Sequence, residues 1–329
     1  MRKIKCLFTL LVVLVLIVIG VIGCSNTSGG KDDSSGGKVK VALLLPGNIN
    51  DAGWSQPAYN GLMDAEKEFD IESAYTESVP LAEQESTIRD YASRGYNLII
   101  CHGNDFEDAI ATVAPEFPDV GFAVTNSDVH DDNLIGIGVQ NEEQGYIAGY
   151  ALGLITNVNK VGYVASNEGY AMKRTENGFV KGVKDGNQNA DIVVAYTGSF
   201  DDAAKGKETA LAIFDKGVDC VFQYAQGSGI GVIEAASEKK IPIVVTSESQ
   251  VKIAPEQAVI SDMSDMKFNI LDTITAYVDD KFGPDLKIID NYKTGLYKVS
   301  SYNENLLTLE QKSKIEEKVV ELKEGKITF

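Results

Sequence analysis

Residues 39–62 read VKVALLLPGNINDAGWSQPAYNGL, and this stretch decides the fold. The apolar run VKVALLL has the length and composition of a buried strand. A loop rich in Gly, Asn and Asp follows it, and Pro57 suits the first turn of a helix. The stretch therefore predicts a strand, a polar loop and a helix in succession. The loop also contains Trp54, which is the only tryptophan of the chain.

The same strand and helix unit recurs along the chain. Apolar strands alternate with helices predicted over 57–69, 82–94, 105–115, 143–156, 173–186, 202–216, 229–239, 264–281 and 308–323. Alternation of this kind is typical of parallel, doubly wound sheets. Because the pattern restarts at the fourth of these helices, we predict an α/β protein with two similar lobes.

Length and charge narrow the class of protein. The chain has 329 residues, of which 44% are hydrophobic, so it can bury a large core and form about two domains. Its formal net charge is −18. Such an excess of acidic residues argues against nucleic acid or anionic lipid headgroups as partners.

The N-terminus predicts export. A basic start, MRKIK, precedes a long apolar run that ends in VIGC at Cys24. The run approaches the length of a spanning helix, but VIGC resembles a bacterial lipobox. We therefore predict a lipoprotein signal peptide over 1–23 and a lipidated Cys24 that anchors the protein at the extracytoplasmic face of the cell membrane. The Gly/Ser-rich residues 24–38 are predicted to form a flexible tether.

Polar and aromatic residues follow nearly every predicted strand. In an open α/β sheet, ligands bind outside the carboxyl ends of the strands. Trp54 and Phe200 stand at such ends in the two halves, where they could grip a flat ligand, although Trp54 could equally pack in the core. Asp51, Asn126 and Glu248 suit hydrogen bonds to base edges or ribose hydroxyls, although an Asp can instead cap a helix.

The sequence has no clear catalytic or metal motif. His102 follows an apolar strand, but no nucleophile motif accompanies it, and neither His102 nor His130 has zinc-ligand spacing. Cys101 and Cys220 lie in apolar runs and are interpreted as buried free thiols. We predict no metal and no catalytic residue.

The glycines of residues 227–231, GSGIG, imitate a dinucleotide fingerprint because they follow a strand and open a helix. The match fails at position 232, where the fingerprint requires glycine and the chain has Val232. No phosphate-binding loop or nucleophile elbow is present either. We therefore predict no cofactor and no enzyme activity.

Several segments together resemble the basic membrane protein family of substrate-binding lipoproteins. They include ALLLPGNINDAGWSQPAYNGL, NEEQGYIAGYALGLIT and YTGSFDDAAKGKETALAIFDKGVDCVFQYAQGSGIGVIEAA, and the resemblance covers essentially the whole mature chain. It implies a type I periplasmic-binding-protein fold with two lobes joined by three hinge crossovers. We place the N-terminal lobe at 39–128 plus about 255–283 and the C-terminal lobe at 129–254 plus about 284–329.

The resemblance also implies roles for particular residues. Trp54 takes the position of an aromatic that stacks on a purine base, and Phe200 takes that of a second aromatic. The family's ribose-binding Asp has no carboxylate at its aligned position in VTSESQ, so Glu248 is the available substitute. The Lys of the family's S-x-x-K motif corresponds to Lys267 in SDMSDMKF, although Asp262 or Asp265 could instead face the cleft. The predicted ligand-binding residues are Asp51, Trp54, Ser55, His102, Gly103, Asn104, Asn126, Phe200, Gln226, Ser247, Glu248 and Asp262.

The expected function follows from the resemblance. It is that of a monomeric, lipid-anchored receptor of an ABC importer, which binds a purine nucleoside or nucleobase between its lobes and delivers it to permease subunits. Another flat heterocycle, such as a vitamin, and a sensory receptor of the same fold remain alternatives. An exported nucleoside-processing enzyme that uses His102 is a third alternative.

Overall fold

Two sheets organise the chain, for which the computed structural model describes residues 37–51 and 54–329. The predicted signal peptide, the lipidation at Cys24 and nearly all of the predicted tether lie outside the described residues. No helix among the described residues is long and apolar enough to cross a membrane.

The first sheet has seven strands, and six of them form the order β12-β6-β4-β3-β1-β2, while β5 pairs antiparallel with β6. All other pairs are parallel, with Val41 opposite Leu98 in β1 and β3. The strands are β1 Val39–Leu44, β2 Ile71–Thr76, β3 Leu98–Cys101, β4 Gly121–Thr125, β5 His130–Asp131, β6 Leu134–Val139 and β12 Ile288–Asp290.

The second sheet has six strands in the order β13-β11-β10-β9-β7-β8, which is the same winding as in the first sheet. Only β13 runs antiparallel, against β11. The strands are β7 Lys160–Ala165, β8 Asp191–Tyr196, β9 Cys220–Tyr224, β10 Ile243–Val245, β11 Ala258–Ser264 and β13 Tyr297–Tyr302. The two predicted doubly wound lobes are thus confirmed.

Helices follow most strands, and the predicted helices agree with the observed ones to within three residues at each end. They are α1 Ser55–Glu68, α2 Gln84–Ser93, α3 Glu107–Val113, α4 Asn141–Ile155, α5 Tyr170–Gly186, α6 Ala203–Phe214, α7 Gly229–Lys239, α8 Glu248–Val251, α9 Lys267–Val278 and α10 Leu309–Lys323. The short helix α8 was not predicted, because four residues carry no helical periodicity.

The strands divide between the lobes differently from the predicted boundaries. The chain passes between the two lobes three times, and these three crossovers together form the hinge. The first crossover follows Val139, the second follows Ser264 and returns the chain to pack α9 against α1, and the third follows Asp290. Strands β6 and β12 therefore belong to the first lobe and β11 to the second, each opposite to the prediction. Strand β6 reads LIGIGV and its glycines weaken the strand signal, while β12 has only three residues.

Helices α4 and α5 pack unusually closely in the second lobe. A Cβ added at Gly178 of α5 would lie 1.9 Å from the carbonyl oxygen of Glu142 in α4, and one at Gly145 would lie 1.9 Å from that of Thr175. Only glycine permits this approach of backbone to backbone. The contact fixes the first turns of α5 against the first turn of α4, which directly follows the first crossover.

The two cysteines among the described residues, Cys101 and Cys220, are buried free thiols, as predicted. Cys101 ends β3 and Cys220 begins β9. Burial raises the pKa of both thiols. They stay protonated and contribute packing rather than reactivity.

Candidate functional site

A cavity of about 750 Å³ lies at the carboxyl ends of strands from both sheets. The first sheet contributes the loops after β1, β3 and β4, and the second contributes those after β7, β8, β9 and β10. Its lining includes Asp51, Trp54, Ser55, Gly103, Asn104 and Asn126 from the first lobe and Asn167, Tyr170, Phe200, Tyr224, Gln226 and Gln250 from the second. The volume falls in the range of small-molecule sites.

Trp54 forms part of the first-lobe wall, and one face of its ring is already covered. The imidazole of His102 stacks on it with ring centroids 4.4 Å apart and an angle of 24° between the planes. Because Trp54 also lines the cavity, it forms a flat surface that is supported from behind. The loop after β1 thus places the tryptophan ring in the cavity wall rather than in the core.

His102 supports this wall as a neutral imidazole. Its Nε2–H donates to the carbonyl oxygen of Trp54 at 3.1 Å, and its Nδ1 accepts from the Thr125 hydroxyl at 2.9 Å. The same hydroxyl accepts from the backbone N–H of Gly103 at 2.9 Å. Burial lowers the pKa of His102 to about 4. His102 is fully buried and does not line the cavity, which differs from its predicted place in direct contact with the ligand.

Asp51 combines two of the interpretations left open by the sequence. Its carboxylate lines the cavity and also accepts the backbone N–H groups of Ser55 at 2.7 Å and Gln56 at 3.1 Å. It therefore caps the start of α1. The buried hydroxyl of Ser55 has no hydrogen-bond partner among the described residues, so it can serve a bound molecule.

Asn126 reaches the cavity from the end of β4. Its backbone has a positive φ of 59°, a conformation that Asn tolerates better than most residues. Its Oδ1 accepts a hydrogen bond of 2.7 Å from Nδ2 of Asn141, the first residue of α4. The carbonyl end of the Asn126 amide is thus held by the hinge, and its NH2 group is left for the cavity.

The second-lobe wall is more open. Phe200 lines the cavity with 39% of its surface exposed, and Gln226 lines it from a turn with φ of 51°. Tyr170, at the start of α5, is 45% exposed, and Tyr224 ends β9. Tyr170 and Tyr224 are missing from the predicted set, although both stand in strand-end segments, SNEGYAM and VDCVFQY, where the signal was available.

Besides His102, two further predicted residues, Ser247 and Glu248, lie away from this cavity. Ser247 caps α8 and lines a separate gap of about 400 Å³ between the lobes, together with Lys267 and Asp265. Glu248 is exposed, lines neither space, and accepts a hydrogen bond from the Ser300 hydroxyl. The prediction for Glu248 rested on its position at the end of a strand. The chain turns into α8 there, and the Glu248 side chain is directed toward β13.

Asp262 belongs to the hinge rather than to the cavity wall, unlike its prediction as a ligand contact. It is fully buried, and its Oδ1 accepts the Tyr292 hydroxyl at 2.5 Å. Its backbone carbonyl accepts Nε2 of Gln144 at 2.6 Å, and Glu143 accepts the backbone N–H of Tyr292 at 2.7 Å. Burial raises the pKa of Asp262 well above its ordinary value. These residues connect all three crossovers.

The charged residues that line the cavity are acidic. Asp51, Asp105 and Asp201 line it, and no Lys or Arg does so in the part of the chain that the structure describes. The described residues also contain no cluster of His, Cys, Asp and Glu suited to a metal ion. The walls offer aromatic faces and neutral hydrogen-bonding groups, a combination that suits an uncharged heterocycle far better than an anion.

Comparisons with known proteins agree with this geometry. Residues 38–328 match the family Bmp, described as ABC transporter substrate-binding protein PnrA-like. The fold resembles an ABC transporter solute-binding protein from Aeropyrum pernix K1, with a TM-score of 0.80 at 21% identity over 88% of this chain and 93% of that one. The predicted type I binding-protein fold is confirmed.

Two relatives illustrate the level of sequence similarity. The chain is 33% identical to the "CD4+ T-cell-stimulating antigen" of Listeria innocua over 68% of its own length and 66% of the relative. It is 30% identical to the "ABC transporter nucleoside-binding protein BmpA" of Lactococcus lactis over 65% of its own length and 63% of the relative. The chain thus spans just under two thirds of these relatives. The family match covers nearly all of the chain from Lys38 onward, and the protein belongs to the Bmp family of PnrA-like ABC transporter substrate-binding proteins.

Proposed function

We propose that this protein is the extracytoplasmic, lipid-anchored receptor of an ABC importer and that it binds a purine nucleoside or nucleobase between its lobes. The lobes close on the ligand through the three crossovers, and the closed form delivers it to permease subunits. Cys24 carries the lipid anchor in this proposal. The name of the Lactococcus relative, a nucleoside-binding protein, agrees with the ligand class.

The observation that carries the proposal is the pair of aromatic walls. Trp54 lines the cavity from the first lobe and Phe200 from the second. A purine offers two π faces, and stacking on an aromatic side chain contributes ~1–3 kcal/mol per base. Closure of the lobes would bring a ring to each face, so the site favours a flat aromatic ligand over a flexible or rounded one.

The charge of the lining supports an unphosphorylated ligand. A nucleotide would bring phosphate groups close to Asp51, Asp105 and Asp201, and none of the described lining residues is a Lys or Arg that could neutralise them. Like charges brought together in a partly desolvated cleft disfavour binding strongly. Nucleosides and free bases are uncharged at neutral pH and avoid this penalty.

The position of Glu248 bears on ribose recognition. Its carboxylate accepts a hydrogen bond from Ser300 and does not line the cavity, so it is a poor substitute for the family's ribose-binding Asp. Asp105 and Asp201 line the cavity and are the next candidates for a hydrogen bond to a ribose hydroxyl. We therefore infer that the protein recognises the base more strongly than the sugar.

A receptor role fits His102 better than catalysis does. Both ring nitrogens are engaged within the protein, by the Trp54 carbonyl and the Thr125 hydroxyl. A general acid or base needs hydrogen-bond reach to the reacting group, and His102 has Trp54 between itself and the cavity. We therefore propose that the ligand leaves the cleft unchanged.

The first experiment identifies the ligand that the purified mature protein retains. The protein is denatured, and the released small molecules are identified by mass spectrometry. In parallel, ligand-free protein is titrated with adenine, guanine, adenosine, guanosine and inosine while the fluorescence of Trp54 is followed. We expect a released purine and a saturable fluorescence change, with AMP as a control that does not bind.

The outcomes separate the ligand classes. A released nucleoside would show that the cleft accepts ribose, with Asp105 and Asp201 as the first residues to substitute, and a free base would show that sugar contacts are dispensable. Release of an unrelated compound, together with no response to any purine, would overturn the proposed ligand. Conversion of a bound nucleoside by the pure protein would overturn the receptor role.

A further inference from the structure

Tyr170 and Arg174 form an arrangement that connects the cavity wall to the hinge. Tyr170 is the first residue of α5, and its ring lines the cavity with 45% of its surface exposed. Arg174 lies one turn later, with its guanidinium carbon 5.3 Å from the centre of that ring. Its Nη1 donates to the Tyr170 hydroxyl oxygen at 3.1 Å. The ring is therefore held in place from behind.

The other donors of Arg174 go to the first crossover. Nε and Nη2 make a paired contact with the two carboxylate oxygens of Glu142, each at 2.7 Å. Nη1 also donates to the carbonyl oxygen of Val139 at 3.0 Å. A two-pronged contact between guanidinium and carboxylate fixes orientation as well as charge. Arg174 is half-buried, so this contact is shielded from solvent more than a surface ion pair is.

The Val139 carbonyl connects this arrangement to the opposite lobe. It also accepts Nδ2 of Asn141 at 3.2 Å, and that same group donates to Oδ1 of Asn126 at 2.7 Å. Asn126 lines the cavity from the first lobe. The Val139 carbonyl thus accepts hydrogen bonds from both Arg174, which contacts Tyr170, and Asn141, which contacts Asn126.

The close packing of α4 and α5 makes this connection stiff. Gly178 lies one turn beyond Arg174 and allows the backbone of α5 to approach the carbonyl of Glu142, the residue that Arg174 grips. A movement of Tyr170 is therefore not easily absorbed by sliding of α5 along α4. We therefore expect such a movement to be transmitted to the crossover.

We propose that Tyr170 is a specificity-determining residue that contacts the ligand through its ring and hydroxyl group, and that Arg174 is a positioning residue that ties this contact to the first crossover. The inference rests on the proposed function, because it requires a small molecule in the cavity. Since Arg174 occupies a lone pair of the Tyr170 oxygen, the hydroxyl hydrogen is directed to another acceptor. The favoured ligand presents a ring nitrogen or a carbonyl oxygen on its edge, as purines do.

The test compares Y170F, R174K and the double variant with the unaltered mature protein. R174K keeps the charge and loses the planar fork. R94K is the matched control, because Arg94 also pairs with an acidic residue, Asp90, and lies over tyrosine rings, but directly after the end of α2 and outside the cavity lining. Association and dissociation rates are measured by stopped-flow fluorescence of Trp54 with the five purine probes named above.

We expect Y170F and R174K each to raise the dissociation rate about three- to tenfold, as for loss of one hydrogen bond, and to leave the association rate within about twofold. The double variant should resemble the single ones, because both remove the same connection. R94K should bind as the unaltered protein does. Melting temperatures and circular dichroism verify folding, and Y170F, which removes one oxygen atom, keeps the test open if R174K does not fold.

Three results would count against the inference. Dissociation rates within twofold for both variants would overturn it, and so would effects that multiply in the double variant. An equal effect of R94K would show that the change is a general loss of rigidity. If the unaltered protein binds none of the probes, the proposed function fails and this inference fails with it.

Discussion

The two walls of the cleft share a fold and differ in how firmly they hold their aromatic residues. In the first lobe, Trp54 is stacked on His102, which is bonded in turn to Thr125. In the second lobe, Phe200 is 39% exposed and belongs to none of the buried clusters of the described residues. Trp54 is therefore preorganised, whereas Phe200 has few side-chain contacts to order it.

The difference in side-chain order predicts which lobe contacts the ligand first. Fixing a mobile side chain costs conformational entropy at the moment of association, while a wall that is already ordered imposes no such cost. Under the proposed function, we therefore expect the first lobe to present the stronger half-site for a flat ligand. We expect Phe200 to add its contact when the lobes close, chiefly by lengthening the lifetime of the complex.

The largest expected effect comes from removing the ordered wall. Trp54→Ala should weaken purine binding about 10- to 100-fold, which corresponds to the ~1–3 kcal/mol of one stacking contact. Phe200→Ala should weaken it only about three- to tenfold, because part of its contact is offset by the entropy of ordering the ring. Isothermal titration calorimetry measures both, since it does not depend on tryptophan emission.

Phe268→Ala serves as the control for this pair, because Phe268 is 37% exposed, like Phe200, but does not line the cavity. It should bind normally. If Phe200→Ala costs as much affinity as Trp54→Ala, the two walls are equivalent in the complex, and the idea of a stronger first half-site is wrong.

An effect of intermediate size is expected when the free energy of unfolding is measured against pH. His102 in the first wall and Glu143 in the hinge should change it in opposite directions. His102 has its pKa lowered to about 4 by burial, so its stabilising neutral form is fully present above pH 6.5 and is lost as pH falls toward 4. Glu143 has its pKa raised to about 7 by burial, so its stabilising protonated form is present below its ordinary value near 4.5 and is lost as pH rises through 7.

Urea unfolding between pH 4 and 8 tests this pair. Each group changes the free energy of unfolding by at most about 1.4 kcal/mol per pH unit. We expect His102→Gln to flatten the loss of stability on the acid side, and Glu143→Gln to flatten it on the alkaline side, whatever their effect on overall stability. An unchanged slope in either variant would mean that another group governs that side of the profile.

The smallest effect is expected at Glu248. Its side chain is exposed and bonded to Ser300, outside the cavity. Glu248→Ala should therefore leave the affinity for every purine within about twofold and change the free energy of unfolding by less than about 0.5 kcal/mol. A tenfold loss of nucleoside affinity, with base affinity unchanged, would instead show that Glu248 reaches the ribose in the closed form.

Much of this architecture was predictable, and the exceptions have physical causes. The helix ends of α7 were predicted at 229 and 239, as observed, because a long apolar pattern between strands is unambiguous. Strand β6 was missed because its alternate glycines, Gly136 and Gly138, remove the side chains that signal a strand. The missed strand then displaced the predicted boundary of the first lobe.

The site shows the same division. Trp54, Asn126, Phe200 and Gln226 were predicted from their places at strand ends, since parallel strands bring such ends to one edge of a sheet. The same rule misplaced Glu248, because it gives the location of a loop and not the direction of its side chains. It also overlooked Tyr170, although Tyr170 stands in the segment that follows β7. The support that Arg174 receives from Glu142 and Val139, more than thirty positions away, had no sequence signal.

By itself, the sequence determined most of the strand and helix order, the two lobes, the family, and Trp54 and Phe200 as two aromatic residues of the cleft. These depend on local periodicity and on motifs contiguous in the chain. Only the tertiary structure decided that His102 lies behind Trp54, that Asp262 belongs to the hinge, and that Arg174 joins Tyr170 to Val139. Those relations depend on how distant segments pack and which polar groups they bury together. Periodicity does not encode the direction in which a single side chain points.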